Sequence, residues 1–391
     1  MSIKINTYLL EFALNSLLRQ KSKTFFISFI FTTLIFLLSS VFFITNSMKW
    51  ELNATIDSLP QIIVQSLKAG RHVEIERDKV EPLLLISGVS DARARVWGYY
   101  YFEREKKYFT LVGVDEFETP YRELFVKSIE KLDFSSPSMY VGLGVKQLLE
   151  SNYFKDSFNF IKADGTLKEV KISAVFKPQT QLESNDIMVM SNDTLRDIFD
   201  IKENMATDIA LRVANPEEVE TIVLKIKSLY PNTNIITNSN LAVSYEKIFN
   251  YKGGLFLALF IISIFTFFII VYDKASGLTS HEKREVGILK AIGWSIDDIL
   301  KEKFYEAFIL SFFSYLLGVF TALFYVYSLG APLIKNIFIG SLASSSNIEL
   351  PFIVDFQTLS LVFLLSVPIY IAAVIIPSWR VATLDADEVI R

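Results

Sequence analysis

Four long apolar segments, separated by polar stretches, dominate the pattern of this chain. They span residues 24–45, 255–272, 307–329 and 359–376, and none contains a charged residue. Each is close to the twenty or so residues that a helix needs to cross a hydrocarbon core of about 30 Å. The pattern therefore predicts four transmembrane helices. Pro368, inside the last of them, predicts a kink and not a break.

The stretch between the first two apolar segments has the composition of a soluble domain. Short alternating runs at residues 61–65, 94–102, 108–114 and 170–176 predict strands. Residues 192–199 and 217–230 are predicted helices, and the polar ends of the stretch, 46–59 and 238–251, are expected to extend the neighbouring membrane helices as a stalk. The predicted fold class is an α-helical membrane protein with four transmembrane helices and a large extracytoplasmic α+β domain inserted between the first and second helices.

A second kind of helix is predicted at the amino terminus. Leucine, phenylalanine and alanine recur at helical spacing, at Leu9, Phe12, Ala13, Leu14, Leu17 and Leu18. This stripe predicts an amphipathic helix on the cytoplasmic membrane surface. The first apolar segment is longer than the core of a signal peptide and is not followed by a small-x-small cleavage pattern, so we expect a retained transmembrane helix.

The basic residues around the four segments predict the orientation. They precede the first segment (Lys4, Arg19, Lys21, Lys23), separate the second from the third (Lys274, Lys283, Arg284, Lys290, Lys301, Lys303) and follow the fourth (Arg380, Arg391). With four spans all three groups lie on one side, which the positive-inside rule assigns to the cytoplasm.

The predicted organisation is a cytoplasmic amphipathic helix (1–23), transmembrane helix 1 (24–45), an extracytoplasmic domain with a stalk (46–252), transmembrane helix 2 (253–273), a cytoplasmic loop (274–306), transmembrane helix 3 (307–329), a short extracytoplasmic loop (330–357), transmembrane helix 4 (358–376) and a cytoplasmic tail (377–391).

Composition narrows the possible chemistry. The 391 residues carry a net charge of only −4 without a long basic run, so nucleic acid is not an expected partner. Cysteine is absent, which excludes disulfides, zinc-thiolate sites and thiol nucleophiles. The two histidines, His72 and His281, have no histidine at helical or hairpin spacing, so we expect no metal site from them. Met188 and Met190 are interpreted as core residues, with soft-metal binding as the alternative.

One charged stretch, residues 279–299, interrupts the apolar carboxyl-terminal part. Thr279 with Glu282, and Ser295 with Asp298, each match a helix-capping pattern. Gly293 follows the last apolar residue of the helix between them, as glycines at helix ends do. That helix carries an apolar stripe at Val286, Ile288, Leu289 and Ile292. From the residues alone, a solvated cytoplasmic loop and a partner-binding helix both remain open.

Two motifs in this part of the chain resemble a known family. Residues 282–293 read EKREVGILKAIG, close to the E-x-R-E-I-G-I-L-K-A-I-G pattern of MacB/FtsX/LolC-type ABC transporter permeases. After Pro377 and Arg380, residues 382–391 (ATLDADEVIR) resemble the family's ending, with Ala386 where a proline is usual. The resemblance is strong over residues 255–391 and the first helix. It is looser over the external domain, which resembles the MacB-like periplasmic core domain.

The resemblance implies a coupling helix that docks on an ATPase. The residues it assigns to that contact are Glu282, Arg284, Glu285, Gly287, Ile288, Leu289, Lys290 and Gly293. No phosphate-binding G-x-x-x-x-G-K-[ST] motif occurs in the chain. The resemblance therefore implies a separate cytoplasmic ATPase subunit that holds ATP and Mg²⁺, and we expect this chain to bind no cofactor. Further implied partners are a second permease, identical or paralogous, membrane lipid, and a possible periplasmic carrier or substrate protein.

The apolar segments also bear on mechanism. Because no charged residue lies in the middle of any segment, we do not expect an aqueous substrate channel within the helices. The resemblance implies mechanotransmission instead, in which the ATPase moves the periplasmic domain of a bacterial inner-membrane protein to export or extract a substrate. The alternative is a transmembrane regulator that activates a periplasmic envelope enzyme. A membrane enzyme is disfavoured because no nucleophile, base or metal cluster is recognisable. The sequence leaves the substrate open.

Overall fold

The structure is a computed structural model that describes residues 7–114, 137–176, 186–276, 280–339 and 350–383. The chain divides into two compact units. The helical unit comprises Met1–Ser47, Phe249–Phe338 and Leu350–Arg391, and the inserted unit comprises Met48–Ile248 with Ile339–Glu349.

The amino-terminal part forms two helices separated by one residue. Helix α1 spans Thr7–Arg19 and helix α2 spans Lys21–Ser58. Of the apolar stripe predicted in α1, Leu9 and Ala13 are buried, whereas Leu14 and Leu18 are exposed. This helix therefore has one face packed against protein and a second apolar face that remains exposed, as expected for a helix at a membrane surface.

The inserted unit contains two main sheets. In chain order its elements are β1 Ile62–Lys68, β2 Arg71–Val73, β3 Ile75–Glu76, α3 Val80–Leu84, β4 Val89–Arg95, β5 Trp97–Phe102, β6 Lys107–Val114, β7 Ser138–Gly142, α4 Leu143–Ser151, β8 Ser157–Ile161, β9 Leu167–Phe176, β10 Ile187–Ser191, α5 Asn192–Phe199, β11 Met205–Ala206, β12 Asp208–Val213, α6 Val219–Leu229 and β13 Thr233–Thr237.

The first sheet is antiparallel, with the order β13-β1-β12-β4 and β2 paired to β1. Side chains of α3 and α6, including Leu83, Ile222 and Ile226, share a buried core with Ile62 and Val64 of β1. The second sheet is mixed, with the order β5-β6-β10-β7-β9-β8, and its core also contains residues of α4 and α5. A small third sheet pairs β3 with β11.

One predicted strand, residues 94–102, is divided between the two sheets at Val96. Arg95 at the end of β4 pairs with Asp208 of β12, and Trp97 at the start of β5 pairs with Val112 of β6. No turn residue separates Arg95, Val96 and Trp97, so the sequence contains no local signal for the change of sheet. The division arises because β4 pairs with β12 whereas β5 pairs with β6.

The carboxyl-terminal part returns to long helices. They are α7 Asn238–Ser276, α8 Ser280–Ala291, α9 Ile296–Leu323 with a following π-helical turn Phe324–Ser328, α10 Ile334–Ile339 and α11 Phe356–Thr383. Among the described residues, four helices are long and apolar enough to cross a membrane, over Lys21–Ile56, Asn238–Tyr272, Ile296–Ser328 and Phe356–Thr383. The predicted architecture of four membrane helices with an α+β domain inserted between the first and second is confirmed.

Several helices are longer than their apolar segments. The third begins at Ile296, so residues 296–306, expected in a loop, are continuous with it. The fourth continues through Pro368 and Pro377 to Thr383. Polar residues can extend a membrane helix at its ends, because outside the hydrocarbon region they meet water and headgroups. The predicted motif at residues 384–391 lies outside the described residues.

Close approach between helices holds the helical unit together. The core joins Phe31 and Ile35 of α2 to apolar residues of α7, α9 and α11. A Cβ at Gly318 of α9 would lie 2.8 Å from Ile35 Cγ2, so only glycine allows this spacing. The hydroxyls of Ser28 and Ser314 are hydrogen-bonded at 2.8 Å across the same pair of helices. Small residues at membrane-helix interfaces permit such contact.

Candidate coupling site

A glycine-dependent turn ends helix α8. The amide of Gly293 donates to the carbonyl of Lys290 at 3.0 Å, and the amide of Trp294 donates to the carbonyl of Leu289 at 3.0 Å. This pair of bonds is a Schellman motif, which satisfies the last carbonyl groups of a helix. Gly293 has a φ of +99°, a conformation that other residues rarely adopt. The predicted end of the helix at Gly293 is therefore present.

A capping box starts α9 two residues later. The backbone amide of Asp298 donates to Ser295 Oγ at 3.1 Å, and the backbone amide of Ser295 lies 3.3 Å from Asp298 Oδ2 in the reciprocal contact. Because the end of α8 and the start of α9 are both hydrogen-bonded, residues 292–295 form a defined turn and not a slack linker. The other predicted cap, at Thr279, lies outside the described residues.

One face of the α8–α9 turn is packed against the helical unit. Val286 of α8 is buried in a cluster with Ile299 of α9 and with Val381 and Ala382 of α11, and Trp294 packs against this cluster. The ring of Trp294 also lies 5.1 Å, centroid to centroid, from that of Phe12 in α1. The turn therefore contacts α1, α9 and α11.

The opposite side carries exposed apolar residues. Ile288 is 51% exposed and Ile292 is 68% exposed, one helical turn apart. Ile296, at the start of α9, is 39% exposed. The apolar stripe predicted for α8 thus serves two surfaces, because Val286 is buried inside the protein while Ile288 and Ile292 face away from it. Leu289 is half-buried between them.

The remaining predicted coupling residues lie on the same helix. Glu282, Arg284 and Glu285 are in the first half of α8, where the structure describes the backbone. Gly287 is buried, and Lys290 in the last turn is half-buried. A cation in the last turn of a helix interacts favourably with the helix dipole.

An ion triplet in α9 was not anticipated from the sequence. Lys303 Nζ donates to Glu306 Oε2 at 2.7 Å and lies 3.4 Å from Glu302 Oε2. Glu302 is only 2% exposed. The Ser295 cap could have indicated that all three residues lie in a helix that continues into the apolar segment. Burial of the triplet depends on its neighbours and has no local signature.

The methionine pair and the tyrosines of β5 lie in the core or at the surface of the inserted unit. Met188 and Met190 are fully buried in the core of the second sheet, as predicted. Tyr100 also packs there, against Phe158 and Phe160, while Tyr99 and Tyr101 are exposed. Within the described parts of the chain, no group of three or more potential metal ligands occurs.

Comparison with known proteins identifies the carboxyl-terminal part. Residues 253–386 match the family described as FtsX-like permease C-terminal. This range contains α8, the α8–α9 turn, α9 and α11. No curated protein sequence matches the chain.

Two solved structures are similar to part of the chain. The periplasmic region of MacB from Actinobacillus actinomycetemcomitans is 12% identical, with a TM-score of 0.32, and the match covers 49% of this chain and 95% of that one. The extracellular domain of the noncanonic ABC-type transporter YknZ from Gram-positive bacteria is also 12% identical, with a TM-score of 0.29 and coverage of 45% and 99%. TM-scores this low do not establish a shared fold, so the description of the inserted unit rests on its own topology.

The family match bears out the resemblance that residues 282–293 predicted. The carboxyl-terminal part of this chain, residues 253–386, is an FtsX-like permease domain. The match covers about one third of the chain, and the four candidate membrane helices are consistent with it.

Proposed function

We propose that this chain is the permease subunit of an ABC transporter of the MacB/FtsX/LolC type. In this proposal a separate cytoplasmic ATPase binds ATP and Mg²⁺, and its closure moves the inserted unit on the other side of the membrane. The observation that carries the proposal is the exposure of Ile288 and Ile292 on α8, inside the segment that matches an FtsX-like permease.

Helix α8 has the chemistry of a docking helix. Apolar residues one turn apart suit a groove on a soluble partner. The sequence of α8 also contains the charged residues Glu282, Arg284, Glu285 and Lys290. Charged residues at the rim of such a contact favour the correct register over others.

The α8–α9 turn is suited to transmit movement. A force on α8 reaches α9 through the Gly293 turn and reaches α11 through Val286, without a slack segment between them. Trp294 extends the contact to α1 through Phe12. The boundaries of the inserted unit, at Ser47 and at Ile248, fall inside α2 and α7, so each helix continues from one unit into the other.

Orientation and assembly follow from charge and symmetry. Basic residues cluster near α1, near α8 and at the end of α11, and the positive-inside rule places these three regions in the cytoplasm. The inserted unit then lies in the periplasm of a bacterial inner-membrane protein. A permease that works with paired ATPases is expected to act as a two-fold assembly, with either an identical or a paralogous second permease.

The central test removes the apolar docking contact. Ile292→Asp introduces a charge at a position that is exposed in the chain alone, so the permease is expected to fold. The variant is purified with its ATPase subunit and reconstituted in lipid nanodiscs. We expect association and permease-dependent ATP hydrolysis to fall at least about tenfold, as for a residue near the centre of an interface. Ile161→Asp, at an exposed position of the inserted unit, is the matched control.

Two results separate the parts of the proposal. Equal association and hydrolysis in both variants would show that α8 is not the ATPase contact. Gly293→Ala strains the turn because of its positive φ, although the added Cβ would meet open space. We expect this variant to retain association and to lose stimulation of ATP hydrolysis, because docking is preserved while the turn is loosened.

A further inference from the structure

The end of α2 and the start of α7 are attached to one strand pair of the first sheet. Helix α2 ends at Ser58 and β1 begins at Ile62, whereas β13 ends at Thr237 and α7 begins at the next residue. β1 and β13 are antiparallel neighbours, and Ile62 pairs with Thr237. Both helices are therefore joined to the same end of this strand pair.

The first residue of α7 caps the last turn of α2. Asn238 Nδ2 donates to the backbone carbonyl of Ile56 at 2.9 Å and to that of Leu59 at 3.1 Å. The backbone amide of Asn238 donates to the carbonyl of Gln61 at 3.2 Å. The last carbonyl groups of a helix have no donor within that helix. Here the donor comes from the start of another helix.

The side chain of Asn238 acts through its two N–H donors. Its Oδ1 atom is buried and has no hydrogen-bond partner in the described part of the chain. A buried acceptor without a donor costs free energy. The reverse orientation of the amide would place its oxygen against two carbonyl oxygens, so the observed orientation is the one that joins the two helices.

The residues that flank this contact are hydrogen-bonded to the sheet. Thr237 of β13 is buried, and its Oγ1 accepts from the backbone amide of Asn240 at 3.2 Å, which caps the start of α7. Gln61, next to β1, accepts at Oε1 from the backbone amide of Val213 at the end of β12, over 2.6 Å. The connections on both sides of Asn238 are therefore fixed on three strands.

We propose that Asn238 is a positioning residue that clamps the end of α2 to the start of α7, so that the two helix ends move together against the first sheet and not separately. The role of this clamp in transport rests on the proposed function, whereas the clamp itself is a property of the chain alone. Loss of the clamp frees the end of α2 to move relative to α7.

The test measures the distance between the two helix ends in the full chain. Because the chain has no cysteine, Asn53→Cys and Val243→Cys together give one pair of thiols for spin labels, both at exposed positions. Double electron–electron resonance in lipid nanodiscs gives the distribution of the distance between the labels. We expect a single narrow distribution when Asn238 is present. In Asn238→Asp, the population at longer distances is expected to rise about tenfold, the factor for hydrogen-bond losses that sum to about 1.4 kcal/mol.

Two further variants assign the effect to the clamp. Asn240→Asp is the matched control, because it makes the same chemical change at an exposed position two residues further along α7. A carboxylate in the first turn of a helix interacts favourably with the helix dipole, so neither aspartate weakens α7 itself. Asn238→Ala removes the donors without adding a charge and is expected to match Asn238→Asp. Pulse proteolysis in urea measures the stability of each variant separately from the distance.

The outcomes separate a clamp from a merely structural residue. A structural role alone would lower the free energy of unfolding and leave the distribution narrow, and this result in both Asn238 variants would overturn the proposal. A broad distribution in the labelled chain that keeps Asn238 would also overturn it, whether or not the variants fold. The nanodiscs contain no ATPase, so the result is independent of whether α8 is the ATPase contact.

Discussion

Arg95 donates from Nε and Nη2 to the two carboxylate oxygens of Asp208, over 2.7 and 2.8 Å. The indole of Trp97 donates to the same carboxylate at 2.8 Å. Asp208 is fully buried, so these bonds compensate a charge that water cannot reach. The cluster lies at the point where the chain passes from the first sheet into the second.

Replacing Asp208 is therefore expected to destabilise the inserted unit strongly. Asp208→Asn leaves the Arg95 guanidinium without its counter-ion, and breaking a buried pair costs about 3–5 kcal/mol. Pulse proteolysis in urea on the full chain measures the free energy of unfolding. Asp91→Asn, on the neighbouring strand β4, is the control, because the Arg93–Asp91 pair is about one-third exposed. Its loss is expected to cost less than about 1 kcal/mol. Equal effects would contradict the assignment.

The contact between Gly318 and Ile35 predicts that a larger residue at position 318 destabilises the helical unit. Gly318→Ala places a methyl group 2.8 Å from Ile35 Cγ2 and 3.0 Å from the carbonyl oxygen of Thr32. Overpacking of this kind costs about 1–3 kcal/mol. The thermal aggregation midpoint in detergent is expected to fall. Gly254→Ala on α7, where nothing lies within 4 Å of the added Cβ, is expected to leave it unchanged.

Asp197 predicts a loss of stability at acid pH. Its carboxylate accepts from Lys162 at 2.7 Å and from Lys168 at 2.8 Å, and these two bonds lower its pKa. Because the pKa is lower in the folded state, the ionised carboxylate stabilises the fold at pH values above the pKa of the unfolded state, near 4. This stabilisation is lost as the pH falls through the lower pKa of the folded state. Asp197→Asn is expected to destabilise the inserted unit at pH 7 by up to about 1 kcal/mol, because the side chain is 36% exposed. The difference should decrease as the pH falls below about 4 and should vanish only below the lowered folded pKa of Asp197.

For Asp186 we expect the opposite dependence of stability on pH. Burial raises its pKa, although Thr110 Oγ1 donates to its carboxylate at 3.0 Å. Ionisation therefore weakens the folded state as the pH rises from near 4 through the raised folded value. Asp186→Asn keeps an acceptor for Thr110 and removes the charge. It is expected to be more stable than the unmodified chain at pH 7 and equal to it at about pH 3, in the same proteolysis assay.

The absence of cysteine makes the orientation directly testable. Ile292→Cys and Ile161→Cys each create a single thiol at an exposed position. A membrane-impermeant maleimide applied to intact spheroplasts is expected to label position 161 and to leave position 292 unlabelled. Inside-out vesicles should give the reverse. Labelling of both positions from the same side would contradict four spans with the inserted unit outside the cytoplasm.

Local rules account for the features that the sequence predicted well. The four apolar helices could be predicted because length and hydropathy are properties of each segment itself and do not depend on tertiary contacts. The Schellman turn at Gly293 and the capping box at Ser295 depend on hydrogen bonds within about five residues. The motif at residues 282–293 indicated the family resemblance, and the match over residues 253–386 bears it out.

The features that escaped prediction depend on distant contacts. Residues 94–102 form two strands because Arg95 finds Asp208, 113 positions away, while Trp97 pairs with β6. The apolar stripe of α8 is divided because Val286 meets Val381 of α11, whereas Ile288 and Ile292 meet no part of the described chain closely enough to be buried.

By itself the sequence determined the order of the apolar helices, the place of the inserted domain and the end of α8 at Gly293, because helical periodicity, hydropathy and capping act over short distances. Only the tertiary structure decided that Ile288 and Ile292 are exposed while Val286 is buried, and that Glu302 is buried beside Lys303. Burial is a property of the surroundings, and here the surroundings are helices separated by up to hundreds of residues in the chain.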